Sequence, residues 1–587
     1  MVIDKVKSPA DVKALAPDEL HTLADELRQG ILYRVSNHGG HLGPDLGFVE
    51  ATIALHRVFS APDDKIVFDV SHQVYPHKML TGRAHGFFDA SRFDEISGYS
   101  SPAESPEYDN FEIGHTSTSV ALATGLQKGR DIVGGHENVV AVIGDGSLSG
   151  GEAFEGLDVA AELGTNIIVV VNDNEMSIAE NHGGLYGNLA LLRQTHGEAE
   201  LNYFKALGFD YMYVEEGNNI EALIEAFGKV KDIDHPIVVH IHTEKGRGYA
   251  PAVANKEGWH WSMPFDIETG KMLPFEGMEA ENASAMLGQW LREEIKRDPL
   301  LVCITAAVPA ALGFGPAERR AAGRQFVDVG IAEEEAVALA SGMAKRGAHP
   351  VMYTYATFIQ RTYDQIAQDL CVNGNAAVIN IVGASIFGMN DFTHICFFDV
   401  PMLSHIPNLI YLAPTTYEEL IAMESWAIKQ DKHSVAIRIP EGPVLHSTQT
   451  YPTEYTAEAR YSVEKQGSQV AIIALGNMWA KAQRVVEALA AQGIDATLIN
   501  PRYASGIDEE ALTALLSAHK VVATLEDGCL DGGFGERIAR FYGPTPMRTL
   551  CFGVRKMLYD RYDVAQLLRD NHLTDEQIVA DIMGAME

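Results

Sequence analysis

The chain has 587 residues, 46% of them apolar, with 45 basic against 80 acidic side chains and a net charge of −35. That length exceeds what one hydrophobic core serves and calls for about three or four domains. The charge argues against nucleic-acid binding, so any anionic substrate needs a local basic pocket. No apolar run approaches the length of a membrane span, and Met1-Val2-Ile3-Asp4-Lys5 lacks the basic-then-apolar form of a secretory signal. Cys303, Cys371, Cys396, Cys529 and Cys551 form neither a close metal-type pair nor a disulfide grid. A soluble, cytoplasmic protein with no membrane or nucleic-acid partner is expected.

In chain order, the run Val139–Ile143 predicts a strand that delivers Gly144-Asp145-Gly146. The small residues Ser147-Leu148-Ser149-Gly150-Gly151 then let backbone amides approach a diphosphate. Phe154, Leu157 and Ala161, with Ala160 and Leu163 alongside, recur at helical spacing as an apolar face, and Gly164 is placed to end that helix. Ile167–Val171 is β-branched without polar alternation, as a strand buried on both faces requires, and delivers Asn172-Asp173-Asn174-Glu175-Met176. The predicted unit is strand, turn, helix, strand, with oxygen ligands for a hard divalent cation at the carboxyl ends of both strands. Gly-Asp-Gly alone also makes ordinary turns; paired with Asn174, it points to thiamine diphosphate held through magnesium.

Further along, Pro264-Phe265-Asp266 through Lys271 reads as a turn-rich exit, followed by a connecting helix to about Asp298. A second α/β domain is expected from Leu300 to about Pro443, with a helix at Glu333–Lys345 and a strand at Val378–Val382. A third begins near Gln469–Ala474 and continues through Val521-Val522. The expected fold class is α/β, with three domains at 1–265, 299–450 and 451–587, a linker at 266–298, and in each domain a mostly parallel sheet flanked by helices.

The segment Gly144 to Asn181 resembles the diphosphate-binding segment of the 1-deoxy-D-xylulose-5-phosphate synthase family, whose members are transketolase-like enzymes. Other matching runs are Gly39–Gly43, Asp69–Arg83, Gly114–Ser119, Lys245–Tyr249, Ile331–Val337 and Tyr355–Gln365, so the similarity extends over most of the chain in order. The resemblance implies three transketolase-like domains, thiamine diphosphate and Mg2+ as cofactors, a homodimer, and a place in isoprenoid biosynthesis. It also implies a carboligase that decarboxylates pyruvate and joins the two-carbon unit to the aldehyde of glyceraldehyde 3-phosphate.

Carried over residue by residue, the resemblance makes Asp145, Asn174 and Met176 the metal set. Glu333 matches the family glutamate that faces the pyrimidine nitrogen and drives the aminopyrimidine to its imino form. Alone, Glu333-Glu334-Glu335 would fit an acidic first turn favoured by the helix dipole, and the family more usually has Gln-His after the glutamate. Phe358 resembles the aromatic that stacks on the pyrimidine, although a strand-end Phe is often core. Gly114, Thr116, Gly146, Ser147 and Tyr249 are the remaining cofactor contacts, together with His72 and His115. His41, His72, His115 and His394 are candidates for proton handling, His260 also falls in a family-like run, and Tyr355, Arg361 and His394 are the candidate substrate contacts. With 22 histidines in the chain, a surface or structural role stays open for each.

Two departures bear on the acceptor. Where the family typically reads Asp-Arg-Ala-Gly, this chain has Val382-Gly383-Ala384-Ser385, and where it reads Arg-Tyr-Pro-Arg-Gly, this chain has Arg438-Ile439-Pro440-Glu441-Gly442. Exchanging two arginines for Gly383 and Glu441 removes charge-assisted bidentate contacts to a phosphate, leaving Arg361 and His394. The passage from Asn181 to Leu207 is short, and Leu558-Tyr559-Asp560-Arg561 also differs. Two rival readings follow: a paralogous transketolase or acyloin-forming enzyme with a different donor or acceptor, a non-phosphorylated aldehyde among the options, and an inactive scaffold subunit. The scaffold predicts broken cofactor chemistry, yet Asp145, Asn174 and Glu333 are all present.

Overall fold

The β-branched runs form strands whose two faces feed separate apolar layers, the arrangement that removes polar alternation from a sequence. The computed structural model describes residues 1–275 and 280–587. Contacts divide it into two bodies, Met1–Met278 with Gly330–Ala332, and Glu279–Val329 with Glu333–Glu587.

The first body is built on five parallel strands, Lys65–Phe68 (β1), Val139–Gly144 (β2), Ile167–Asp173 (β3), Asp210–Val214 (β4) and Ile237–His242 (β5), in the order β1-β2-β3-β5-β4. Val140, Val142, Ile168 and Val170 enter one apolar layer, and Val139, Ala141, Ile143, Val169 and Val171 the other. The crossover from β2 to β3 is a single turn at Gly146–Ser149 and a helix at Gly151–Leu163, closed by Gly164 at φ 62°.

That helix is rotated from its expected face. Ala153, Gly156, Leu157 and Ala160 are buried, whereas Phe154 is 48% exposed and Ala161 and Leu163 are half-buried. The reason is close packing against the helix Ser119–Val133: a Cβ at Gly156 would stand 2.8 Å from the Ala121 nitrogen. Only small residues and Leu157 fit so narrow a gap, and Phe154 is turned outward. After Asn181 the chain forms two helices, Leu185–Gln194 and Tyr203–Leu207, which bury Leu189, Leu192 and Phe204 in the same layer as β2 and β3.

The second body carries two sheets. In the first, Leu301–Thr305 (β6), Phe326–Asp328 (β7), His349–Tyr355 (β8), Val378–Val382 (β9), Leu409–Leu412 (β10) and Ser434–Arg438 (β11) are all parallel, in the order β10-β11-β9-β8-β6-β7. In the second, Ser462–Lys465 (β12), Gln469–Ala474 (β13), Thr497–Asn500 (β14), His519–Cys529 (β15) and Arg548–Val554 (β16) run in the order β12-β14-β13-β15-β16, with only the edge strand β12 antiparallel. One apolar cluster joins the two sheets, through Ile304, Met352 and Ile379 on one side and Ala471, Ile473 and Val522 on the other. The helix Ala283–Arg297 sets Leu287 and Leu291 against Leu301, Cys303 and Val351. The α/β class with mostly parallel sheets is as expected. All five cysteines are free thiols, and among the described residues no helix is long and apolar enough to cross a membrane.

One core position works against this packing. Glu424, on the helix Tyr417–Lys429, is fully buried with both carboxyl oxygens lacking a hydrogen bond, and burial lifts it to about 8, with Asn380 as its nearest polar neighbour. A raised carboxyl costs stability as pH climbs from its ordinary value through the folded value, because only the unfolded chain ionises freely. Glu424→Gln should therefore raise Tm by an amount that is small near pH 5 and grows to several degrees near pH 8, on the order expected for a change of a few kcal/mol. Thermal unfolding across that pH range checks it; a Tm difference independent of pH would contradict the assignment.

Candidate active site

Within the first body, polar groups gather where the strands end. Gly144 pairs with Asn172 across β2 and β3, and Asp145 N–H donates to the Asn172 carbonyl at 3.0 Å, so Asp145 and Asn174 emerge side by side at the carboxyl edge. Asp145 is 1% exposed; its Oδ2 accepts from Asn181 Nδ2 at 2.5 Å, and the Tyr186 hydroxyl donates to the Asp145 and Gly146 carbonyls at 3.1 and 3.2 Å. Burial, and then the Asp173 carboxylate, push the Asp145 carboxyl well above the usual range. Asn174 Oδ1 and Ser177 Oγ are buried without a hydrogen-bond partner. Glu175, at φ 66°, turns the backbone before Met176, which bridges to Glu180.

One carboxylate, one carboxamide with an unused oxygen and a backbone carbonyl fit a hard cation that completes its shell with water and phosphate oxygens. Among the described residues, no group of three or more His, Cys, Asp or Glu side chains converges as a metal site.

The adjoining loops are tied to the same edge. Asp69, just past β1, accepts the Ser117 and Ser119 N–H groups at 2.8 and 2.9 Å, which fixes the loop carrying Gly114, His115 and Thr116. The Ser117 hydroxyl donates to the Ser147 carbonyl at 2.8 Å, joining that loop to the Gly146–Ser149 turn. Val70 and Ser71 both adopt left-handed φ, 55° and 58°, immediately before His72. Two consecutive side-chain-bearing residues in that region are strained, and here the strain aims an imidazole.

His41, His72 and His260 form a cluster with ring centroids 5.2 to 5.6 Å apart, and His41 also meets Tyr99 at 5.7 Å. Burial holds His72 down at about 3 and His41 and His260 well below the usual imidazole range. Lys245 Nζ donates to the Ser177 carbonyl at 2.6 Å and lies 3.0 Å from His260 Nδ1; burial lowers it to about 7. His115 is half-buried on its loop. Tyr249 packs edge-on against Trp259 and near Phe265, with its hydroxyl donated to the Ile267 carbonyl at 3.1 Å.

The second body has its own polar edge. Glu333 opens the helix Glu333–Lys345, is 3% exposed, and leaves Oε2 without a hydrogen bond. Burial lifts it to about 7, opposed by Arg361, whose Nη1 stands 3.8 Å from Oε2. Tyr355 ends β8 and meets the Phe358 ring edge-on at 6.0 Å; Phe358 meets His394 at 5.7 Å, and Thr393 Oγ1 lies 2.9 Å from His394 Nδ1. Gly383 follows β9 at φ 73°, a conformation that disfavours any side chain, and its N–H donates to Glu441 Oε1 at 3.0 Å. Gly383 and Glu441 are thus two halves of one contact.

His260, a candidate for proton handling by its family-like run, completes the imidazole cluster. The structure adds further residues that sequence reasoning left unassigned. Asp69 follows a strand as Asp145 does, so the same rule could have found it. Lys245 sat in a matching run without a role. Asn181 ended the longest matching run, and Tyr186 lay in the short passage beyond it with no motif.

Residues 3–201 and 194–243 match a family model described as 1-deoxy-D-xylulose-5-phosphate synthase, residues 280–444 the transketolase pyrimidine-binding domain, and residues 459–578 the transketolase C-terminal domain. The 1-deoxy-D-xylulose-5-phosphate synthase of Desulforudis audaxviator is 37% identical across 98% of this chain and 96% of that protein. Its counterpart in Carboxydothermus hydrogenoformans is 37% identical across 98% of both, and 1-deoxy-D-xylulose-5-phosphate synthase 2 of Geobacter sulfurreducens is 38% identical across 92% of this chain and 91% of its own. With matches of this extent, the chain belongs to the 1-deoxy-D-xylulose-5-phosphate synthase family, thiamine diphosphate-dependent transferases that join the two-carbon unit of pyruvate to glyceraldehyde 3-phosphate.

Proposed function

We propose that this chain performs its family's reaction with Mg2+ held by Asp145, Asn174 and the Met176 carbonyl, and that it works as a homodimer in the cytoplasm. The observation that carries the activation step is Glu333: a buried carboxyl, lifted to about 7, whose Oε2 makes no hydrogen bond. Such a group holds a proton at Oε2 and shares it with a ring nitrogen brought against it. Bound thiamine diphosphate supplies the carbon nucleophile and the electron sink for loss of carbon dioxide.

The remaining assignments follow from position and chemistry. Gly146 and Ser147 present their turn, and Gly114, His115 and Thr116 their loop, to the diphosphate. Tyr249 backs the cofactor from the neighbouring core, and Phe358 offers its ring face to the pyrimidine. His72 leaves Nδ1 unbonded. Held neutral by burial, the His41 and His72 imidazoles both donate and accept and so move protons between substrate oxygens; His115 joins them, and His394 handles protons beside Tyr355 and Arg361, the proposed substrate contacts. Arg361, 3.8 Å from Glu333 Oε2, is the proposed cationic contact for the carboxylate of pyruvate.

Glu333→Gln should lower carbon dioxide release from pyruvate with glyceraldehyde 3-phosphate by about 10²- to 10⁴-fold, the usual span for one acid-base group, while Mg2+-dependent thiamine diphosphate binding persists. Turnover equal to wild type would refute the role. In histidine-labelled protein, NMR titration should show His41, His72 and His260 keeping neutral-imidazole shifts from about pH 8 to about pH 5.5, because burial holds all three below the ordinary value near 6.5. Protonation of any of them near 6.5 would contradict the described environment.

A further inference from the structure

At the end of β11, the Arg438 guanidinium is shared between Asp399, 2.9 Å from Nε, and Asp527. Two carboxylates on one guanidinium leave negative charge at this edge. Glu441 adds a third carboxyl. Its Oε1 accepts the Gly383 N–H, and its own N–H donates to Asn477 Oδ1 at 3.0 Å. Asn477 in turn donates to Asp527 at 2.8 Å.

Burial lifts the Glu441 carboxyl to about 7, with the Gly383 amide and Arg438 lowering it and Asp527 raising it. Of the other groups around it, Tyr355 and Cys396 carry no charge, and the two cations Lys481 and Arg484 share one carboxylate. Tyr355 and Cys396 face it, each pushed by burial to about 12 and so neutral. Lys481 and Arg484 line the same cavity of about 290 Å3 as Glu441, and both pair with Asp575, at 2.8 and 2.5 Å. A Cβ at Gly383 would touch the Tyr355 ring at 3.4 Å, and Tyr355 meets Phe358. The carboxyl therefore stands next to Tyr355, a side chain assigned to substrate.

We propose that Glu441 is a specificity-determining residue of the acceptor step, whose carboxyl sorts aldehydes by charge: it accepts hydrogen bonds from hydroxyl groups and opposes a phosphate dianion. The proposal rests on the reading of Tyr355 and Phe358 given above. Neutral, Glu441 tolerates a phosphorylated acceptor; ionised, it repels one across a poorly screened gap, while a hydroxyl-bearing neutral aldehyde loses nothing.

The test is the KM for glyceraldehyde 3-phosphate divided by the KM for D-glyceraldehyde, each measured at about pH 6 and about pH 8.5 with pyruvate as donor. In wild type this ratio should rise about tenfold over that interval, as an added charge worth about one pKa unit predicts. In Glu441→Gln, which keeps an acceptor for the Gly383 N–H, it should change by less than about twofold, and Glu441→Asp should restore the rise. The second ionisation of the substrate phosphate occurs with every enzyme and cancels in the comparison. Equal behaviour of wild type and Glu441→Gln, whether rising or flat, overturns the proposal. Absence of carbon dioxide release from pyruvate with either aldehyde in wild type overturns the underlying reading, and the proposal with it.

Discussion

A strand buried on both faces gathers most of its polar side chains at its ends, with Asn380 inside β9 an exception, and this constraint sets where chemistry occurs in the chain. β2 stays apolar up to Asp145, and β3 stays apolar up to Asn172-Asp173, with Asn174 just beyond. β8, β9 and β11 behave alike, ending in Tyr355, Gly383 and Arg438 with Glu441 beyond. The same burial that excludes polar groups from the strands desolvates those at the ends. His72 and Lys245 are forced toward neutrality in one body, and Glu333 and Glu441 in the other. Unbonded buried atoms such as Asn174 Oδ1, Ser177 Oγ and Glu333 Oε2 cost about 1–3 kcal/mol each in the free protein. Ligands that satisfy them return that energy, so cofactor binding and folding stability are linked.

Charge is distributed with a purpose the total hides. The chain carries a net −35, yet its edge at Glu333 keeps Arg361 within 3.8 Å, while the edge at Glu441 keeps its one guanidinium fully engaged with Asp399 and Asp527. The two edges thus differ in their electrostatic surroundings.

How much of this was readable in sequence follows from how local each feature is. Ile167–Val171, Val378–Val382 and Glu333–Lys345 were legible because periodicity and β-branching are properties of a single segment. The tilt of the Gly151–Leu163 helix was not, because it depends on how closely the helix Ser119–Val133 approaches Gly156. Asp145, Asn174 and Glu333 stood out through motifs. The union of His41, His72 and His260 did not, since it needs three loops that only the fold brings together. Gly383 and Glu441 were each visible as departures, but their direct hydrogen bond spans 58 residues and no spacing rule reaches that far.

Asp527 belongs to β15, in the C-terminal sheet, and Arg438 to β11, in the sheet before it. Their ion pair sits above an apolar cluster to which both sheets contribute. Cutting the chain between the two sheets would strip Arg438 of one of its two carboxylates and open that cluster to water, so the sheets are not interchangeable modules. In any lineage they must travel as a pair. A domain with none of the proposed catalytic residues has a physical reason to persist: it closes the charge balance of the one that does the chemistry.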